Sequence, residues 1–259
     1  MKTIAIVAQK GGVGKTTTAA TLAAMLAENG ERVLCIDMNE QGDLSDSLAA
    51  LEDQAGTFEL LTGEPIASTI SETNLERVEI IKGGQELATL EGQIKTQGKD
   101  RALILSKALK DVKNIYKFCI IDCPGSFNTA LMNALGAADS VVIPAQAGYY
   151  SLKGIERLVQ NIKYVRENIN PALQIGGILL TRYNGRRNLS RDTVEVLQGA
   201  EKAIGARLFN TRIRENSKVA EAPGQKATVL QHAPHSSGAE DYRAFYKEYM
   251  QILSRKEGE

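Results

Sequence analysis

Thirty-one Lys plus Arg balance 31 Asp plus Glu over 259 residues, so no overall field steers the chain toward nucleic acid or an anionic membrane, and such binding has to come from a local patch. The length suits one large domain or two small ones. Apolar runs stop short of the ~18 residues of a membrane span, no amino-terminal signal pattern is present, and Cys35, Cys119 and Cys123 lack a C-x-x-C spacing; together these lead us to expect a soluble cytoplasmic protein with reduced, buried thiols.

Short Val- and Ile-rich runs alternate with segments of helical period. Thr3–Ala8 reads as the first strand, and Thr16–Asn29 as a helix stopped by Gly30. Arg32–Asp37 is the second strand, and the stretch at about 38–75, with scattered Gly, Ser, Thr and acidic residues, reads as surface loops and short helices. Further strands follow at Val78–Lys82, Phe118–Asp122, Ser140–Pro144 and Ile175–Thr181, with helices at about 127–136, 151–169 and 188–203. Tyr242, Phe245, Tyr246, Tyr249, Met250 and Leu253 then make one apolar stripe, expected to dock a terminal helix on the core; without tryptophan and with Asp241, Glu248 and Glu259 nearby it is a poor membrane-seeking surface. Continuous apolar strands alternating with helices predict a single doubly wound α/β domain over residues 1–259, its mostly parallel sheet covered on both faces.

Between the first strand and first helix lies QKGGVGKTT, Gln9–Thr17. Glycines let the backbone wrap a phosphate with its N–H groups, and the helix start adds positive partial charge. The expected nucleotide contacts are therefore Gly11, Gly12, Val13, Gly14, Lys15, Thr16 and Thr17, with Lys15 on the β and γ oxygens and the Thr16 hydroxyl on Mg²⁺. Two later strands end in aspartate, Asp37 and Asp122, and a parallel sheet brings both to the edge that carries the loop. Asp122 is expected to hold Mg²⁺ or its water, and Asp37 to support the site or orient water. Gln9 where the P-loop pattern has glycine, and a second lysine at Lys10, remain to be explained.

These residues resemble the deviant-Walker-A ATPases that include the ParA (Soj-like) partition proteins and MinD. KGGVGKTT resembles the family's loop, CIDMNEQGDLS its DxDPQGN segment, and IIDCPGSFNTALMNAL its DxPP switch segment. PAQAGYYSLKGIERL and ENSKVAEAPGQ look like later ParA segments, and GILLTRYNGRRNLS is similar to both branches. The resemblance covers nearly the whole chain. It implies ATP and Mg²⁺ as cofactors, nucleotide contacts from Asn184 and Pro223, and a nucleotide-sandwich homodimer in which Lys10 reaches the partner's phosphates. A cation supplied in trans, as an arginine finger is, makes dimerisation and ATP occupancy depend on each other. The catalytic set implied is Lys10, Lys15, Asp37, Asn39 and Asp122.

One departure bears on rate. Asn39 stands where the pattern has the aspartate that positions water, and an amide cannot accept a proton as a carboxylate does. Slow hydrolysis and a long-lived ATP-bound dimer are expected, with Asp43 close enough in sequence to substitute. Gly125, replacing the second proline of the switch segment, is expected to loosen the backbone there. For output, nine basic residues between Arg182 and Lys218 face Asp192, Glu195, Glu201 and Glu215, an excess that favours nonspecific contact with DNA phosphates. The resemblance places DNA-binding residues at Arg186 and Lys218, names a ParB-like centromere-binding protein as partner and puts the protein on the nucleoid. A MinD-like role at the membrane is the alternative, though SRKEGE is a poor basic targeting segment; a metabolic relative of amidoligase or nitrogenase-reductase type is the third, and Cys119 and Cys123 do not resemble that reductase's cluster ligands.

Overall fold

A computed structural model describes residues 1–51, 54–94 and 98–257; Gly258 and Glu259, at the end of SRKEGE, lie outside them. In chain order the elements are β1 (Lys2–Ile6), α1 (Lys15–Glu28), β2 (Val33–Asp37), α2 (Asp43–Ser47), α3 (Thr57–Thr62), β3 (Ile70–Glu72), β4 (Val78–Ile81), α4 (Leu90–Gln93), α5 (Ile104–Val112), β5 (Phe118–Asp122), α6 (Thr129–Ala137), β6 (Ser140–Gln146), α7 (Tyr149–Asn168), β7 (Gln174–Tyr183), α8 (Asn188–Ile204), β8 (Leu208–Arg214), α9 (Ser217–Glu221), α10 (Val229–His232) and α11 (Ser237–Glu257). The eight strands form one sheet in the order β3-β4-β2-β5-β1-β6-β7-β8. Only β3 runs antiparallel, as a short edge against β4.

The alternation of side chains along each strand divides the interior in two. Ile4 and Ile6 of β1, with Cys35 and Ile120, pack under α1 and α11; Ala5 and Val7, with Ile36 and Ile121, pack under α5, α6 and α7. Every residue of β2 and of β5 is buried, which is why those runs are apolar throughout rather than alternating. All three cysteines are free and wholly buried among them, and burial pushes each thiol far above its ordinary pKa.

The aromatic stripe of α11 is consumed by this packing. Tyr242, Phe245 and Tyr249 are buried; Phe209 of β8 meets Phe245 and Tyr249 edge-on at 5.1 and 5.7 Å. Such pairs add about 0.5–1.5 kcal/mol each beyond the area they remove from water. Tyr249 donates a hydrogen bond to Ser140 Oγ (2.8 Å), and Tyr242 shares one with Thr18 of α1 (3.2 Å), so each buried hydroxyl has a partner. Among the described residues no helix is long and apolar enough to cross a membrane.

Two strands lie outside the sequence expectation, β3 and β8, together with helix α5 and the short helices α4, α9 and α10. LFNTRIR of β8 is half polar because it is an edge strand, and α11 covers its unpaired N–H groups with carboxylates. Glu248 accepts from the amides of Asn210 and Thr211 (both 2.8 Å), and Asp241 from that of Arg214 (2.8 Å). An edge whose donors are occupied is closed to further strands.

Candidate nucleotide-binding site

β1 lies between β5 and β6, so the loop after it opens where the sheet's connections diverge to either side, the position at which open parallel sheets receive ligands. The turn is made by Gly12 and Gly14 in left-handed conformation (φ 70° and 86°), which a side chain would strain. Gly14 caps α1 without a side-chain bond, and the first turn of α1 holds no acidic residue. The helix start thus keeps its unpaired N–H groups and positive partial charge for an anion.

Two strand-end side chains hold this loop from behind. Gln146 of β6 donates to the carbonyl of Gly12 (2.8 Å), and Thr181 of β7 to that of Val13 (2.7 Å). Sequence reading does not find these tethers, although both sit at the loop-bearing ends of strands. Gly125 also answers a packing need: a Cβ there would stand 3.1 Å from the carbonyl of Gln9, so the glycine lets the switch segment pass close to the loop.

The register of β2 on β5 sets Asp37 and Asp122 side by side, both fully buried. Asp122 Oδ2 accepts a 2.6 Å hydrogen bond from Thr16, while its Oδ1 is buried with no partner among the described residues. Burial, then the charge of Asp37, raises the Asp122 pKa; the Thr16 hydroxyl and Lys15 oppose the rise. Asp37 is raised chiefly by burial, against hydrogen bonds from Ser45 and Asn39. Its oxygens receive the amides of Asn39 (3.0 Å), Leu44 (3.1 Å) and Ser45 (3.0 Å) and the Ser45 hydroxyl (2.8 Å). Of the two roles expected for Asp37, this geometry fits the supporting one, a post on which α2 begins.

The oxygen donors suit a hard cation. A hydroxyl and an aspartate with one orphaned oxygen are the sparse protein contribution Mg²⁺ takes when phosphates and waters complete its shell, and no denser His, Cys, Asp or Glu cluster occurs among the described residues. Thr16 and Asp122 are therefore the residues that would hold it.

Above the loop lies a cleft of about 850 Å³. Gly11 to Thr17, Asn39 and Pro223 line it as expected, and so does Asp43, the residue considered as a substitute for Asn39; Gln41, Asp46, Arg182 and Tyr242 join them without any sequence signal. Lys10 is exposed and outside the lining. Asn184 is also outside it; its side-chain oxygen accepts the amide of Arg186 in a turn (3.1 Å). Arg182, directly after the Thr181 tether, is held in left-handed conformation (φ 47°), a strained state for a residue with a side chain.

The basic segment is gathered but partly neutralised. An Arg187–Glu215 pair (3.5 Å) and the Glu215 amide on the Tyr183 carbonyl join the turn carrying Arg186 to the start of α9, which carries Lys218. Both candidate DNA contacts are exposed at the cleft's end of the sheet. Lys218, however, pairs with Glu221 (2.8 Å), and Arg214 with Asp241 (2.8 Å) and Glu240 (3.5 Å). Carboxylates from α9 and α11 thus offset part of the excess counted within the segment.

A family model described as an AAA domain matches residues 1–175. The chain is 36% identical over 250 residues to the sporulation initiation inhibitor protein Soj of Bacillus subtilis, covering 95% of this chain and 97% of Soj. It is 37% identical over 250 residues to the chromosome-partitioning ATPase Soj of Thermus thermophilus, covering 96% of each. Among solved structures, cobyrinic acid a,c-diamide synthase from Mycobacterium smegmatis with bound ADP and magnesium superposes with a TM-score of 0.83 at 27% identity, over 98% of this chain and 96% of that one.

Proposed function

The chain belongs to the Soj/ParA family of chromosome-partitioning ATPases, and we propose that it works as an ATP-dependent dimer whose joined surfaces hold DNA nonspecifically during partition of a replicon. It is an ATPase that uses ATP and Mg²⁺, and its partners are those of a partition system. The observation that carries the nucleotide reading is the tethered glycine loop lining one cleft, with Thr16 of that lining bonded to buried Asp122.

The chain's own groups divide the work. The loop's amides and Lys15 receive the phosphates, excluding water from all but the outer side of the γ group. Thr16 and Asp122 would hold Mg²⁺, which would supply positive charge against the phosphates. Pro223, exposed on the cleft lining just after α9, offers apolar surface to the base. Exposed Lys10 is free to serve a facing protomer, which supports the homodimer and accounts for the second lysine of QKGGVGKTT. With an amide at Asn39, turnover before stimulation is slow, and a ParB-like partner accelerates it to release DNA. Residues 1–259 act as one such domain, in the cytoplasm on the nucleoid.

Co-sedimentation with plasmid DNA and with anionic liposomes tests this. DNA is expected to pellet the protein with ATP but not ADP, less so as salt rises, with binding lost in Lys10→Ala and weakened in Arg186→Ala. Liposome binding without DNA binding would overturn the DNA output in favour of a membrane one.

A further inference from the structure

Building on the ATPase reading, we propose that Asp43, the first residue of α2, holds the water that attacks the γ-phosphorus. Hydrolysis benefits from a carboxylate that orients this water and receives its proton. Among the described residues three carboxylates line the cleft: Asp43, Asp46 and Glu215. Glu215 is engaged with Arg187 at the β8 side, and Asp46 is shared with a smaller pocket lined by Glu40, Ser45 and Lys82. The buried pair is already committed, Asp37 to four protein donors and Asp122 to Thr16 and the cation.

Asp43 is exposed to the cleft, and among the described residues no donor is spent on its carboxylate. Its backbone is nonetheless fixed. Left-handed Gly42 (φ 67°) turns the chain into α2, and the next two amides, Leu44 and Ser45, are bound to Asp37. A floppy surface aspartate would lose water-positioning power; one anchored through the end of β2 keeps it. Asp43 lines the same cleft as Lys15, Thr16 and Asn39, the residues of its phosphate end. Asn39 and Asp43 stand on either side of the Gly42 turn and line the same cleft, so a carboxylate moved from one to the other stays within it.

The step balances without a further reactant. The water oxygen forms a bond to the γ-phosphorus, the bond to the β,γ-bridging oxygen breaks with its electron pair leaving on ADP, and the water's proton passes to Asp43 and on to solvent.

Steady-state hydrolysis of Mg-ATP by the full chain, with mant-ATP affinity measured alongside, tests the assignment in wild type, Asp43→Asn and the Asn39→Asp/Asp43→Asn double variant. Asp43→Asn is expected to lose about 10²-fold in kcat while binding mant-ATP at least as well as wild type. The double variant recovers at least about tenfold of that loss, a rescue that a merely structural role for Asp43 would not give. Unchanged turnover in Asp43→Asn, or a loss that the double variant does not repair, overturns the assignment while leaving the ATPase reading intact. A wild type that binds mant-ATP and never hydrolyses ATP overturns both.

Discussion

Asp37 and Asp122 meet at the ends of neighbouring strands, where burial favours the protonated form of each and the charge of one opposes ionisation of the other. A carboxyl whose folded-state pKa lies above its unfolded value contributes stability that is fully present below the unfolded pKa, near 4, and is lost as pH rises through the folded one. In EDTA and without nucleotide, thermal unfolding should therefore fall by roughly 5 °C as pH rises from about 5 to about 8. Asp122→Asn, which cannot ionise there, should flatten that slope in differential scanning calorimetry; equal slopes would show that the pair does not set it. Both aspartates are legible in the sequence because each closes an apolar strand, and the loop because its glycines and lysine are contiguous. Gln146, Thr181 and Arg182 are not, since what makes them part of the site is the pairing of β6 with β1 and of β7 with β6, a relation between distant segments that no local pattern carries.

At the scale of elements, the helices and central strands follow from period and apolar content, whereas β8 is a strand because of what stands beside it. Its polar sequence is tolerated at the sheet's edge, and the amides left unpaired there are taken by Glu248 and Asp241 from a helix some 30 residues later. Glu248→Ala removes the acceptor of two edge amides and should cost about 1 kcal/mol, a shift of about 2–4 °C, with a rise in light scattering at high protein concentration as the edge becomes available. Glu248→Gln retains an acceptor oxygen and should recover most of the loss. A variant as stable and monodisperse as wild type would mean that water satisfies those amides equally well. β3 is three residues long and antiparallel, too short to give a period of two any weight.

Across the whole molecule the cleft joins the first βα turn to the segment between β8 and α9, two regions about 200 residues apart in sequence. The proposed function sets the phosphates on the first wall and the base on the second, so that an intact nucleotide would bridge them and a bare polyphosphate would not. Hydrogen exchange should slow together at residues 11–17 and 214–223 when Mg-ATP is added, and only at 11–17 with Mg-tripolyphosphate; protection confined to the first segment in both cases would remove the second wall from the site. The same central sheet that positions the cleft also encloses Cys35, Cys119 and Cys123 completely. The folded surface therefore offers no native thiol to a maleimide, and a single cysteine introduced beside Lys10 or Arg186 can carry a fluorophore or cross-linker alone, reporting on a facing protomer or on DNA without any native residue being replaced first.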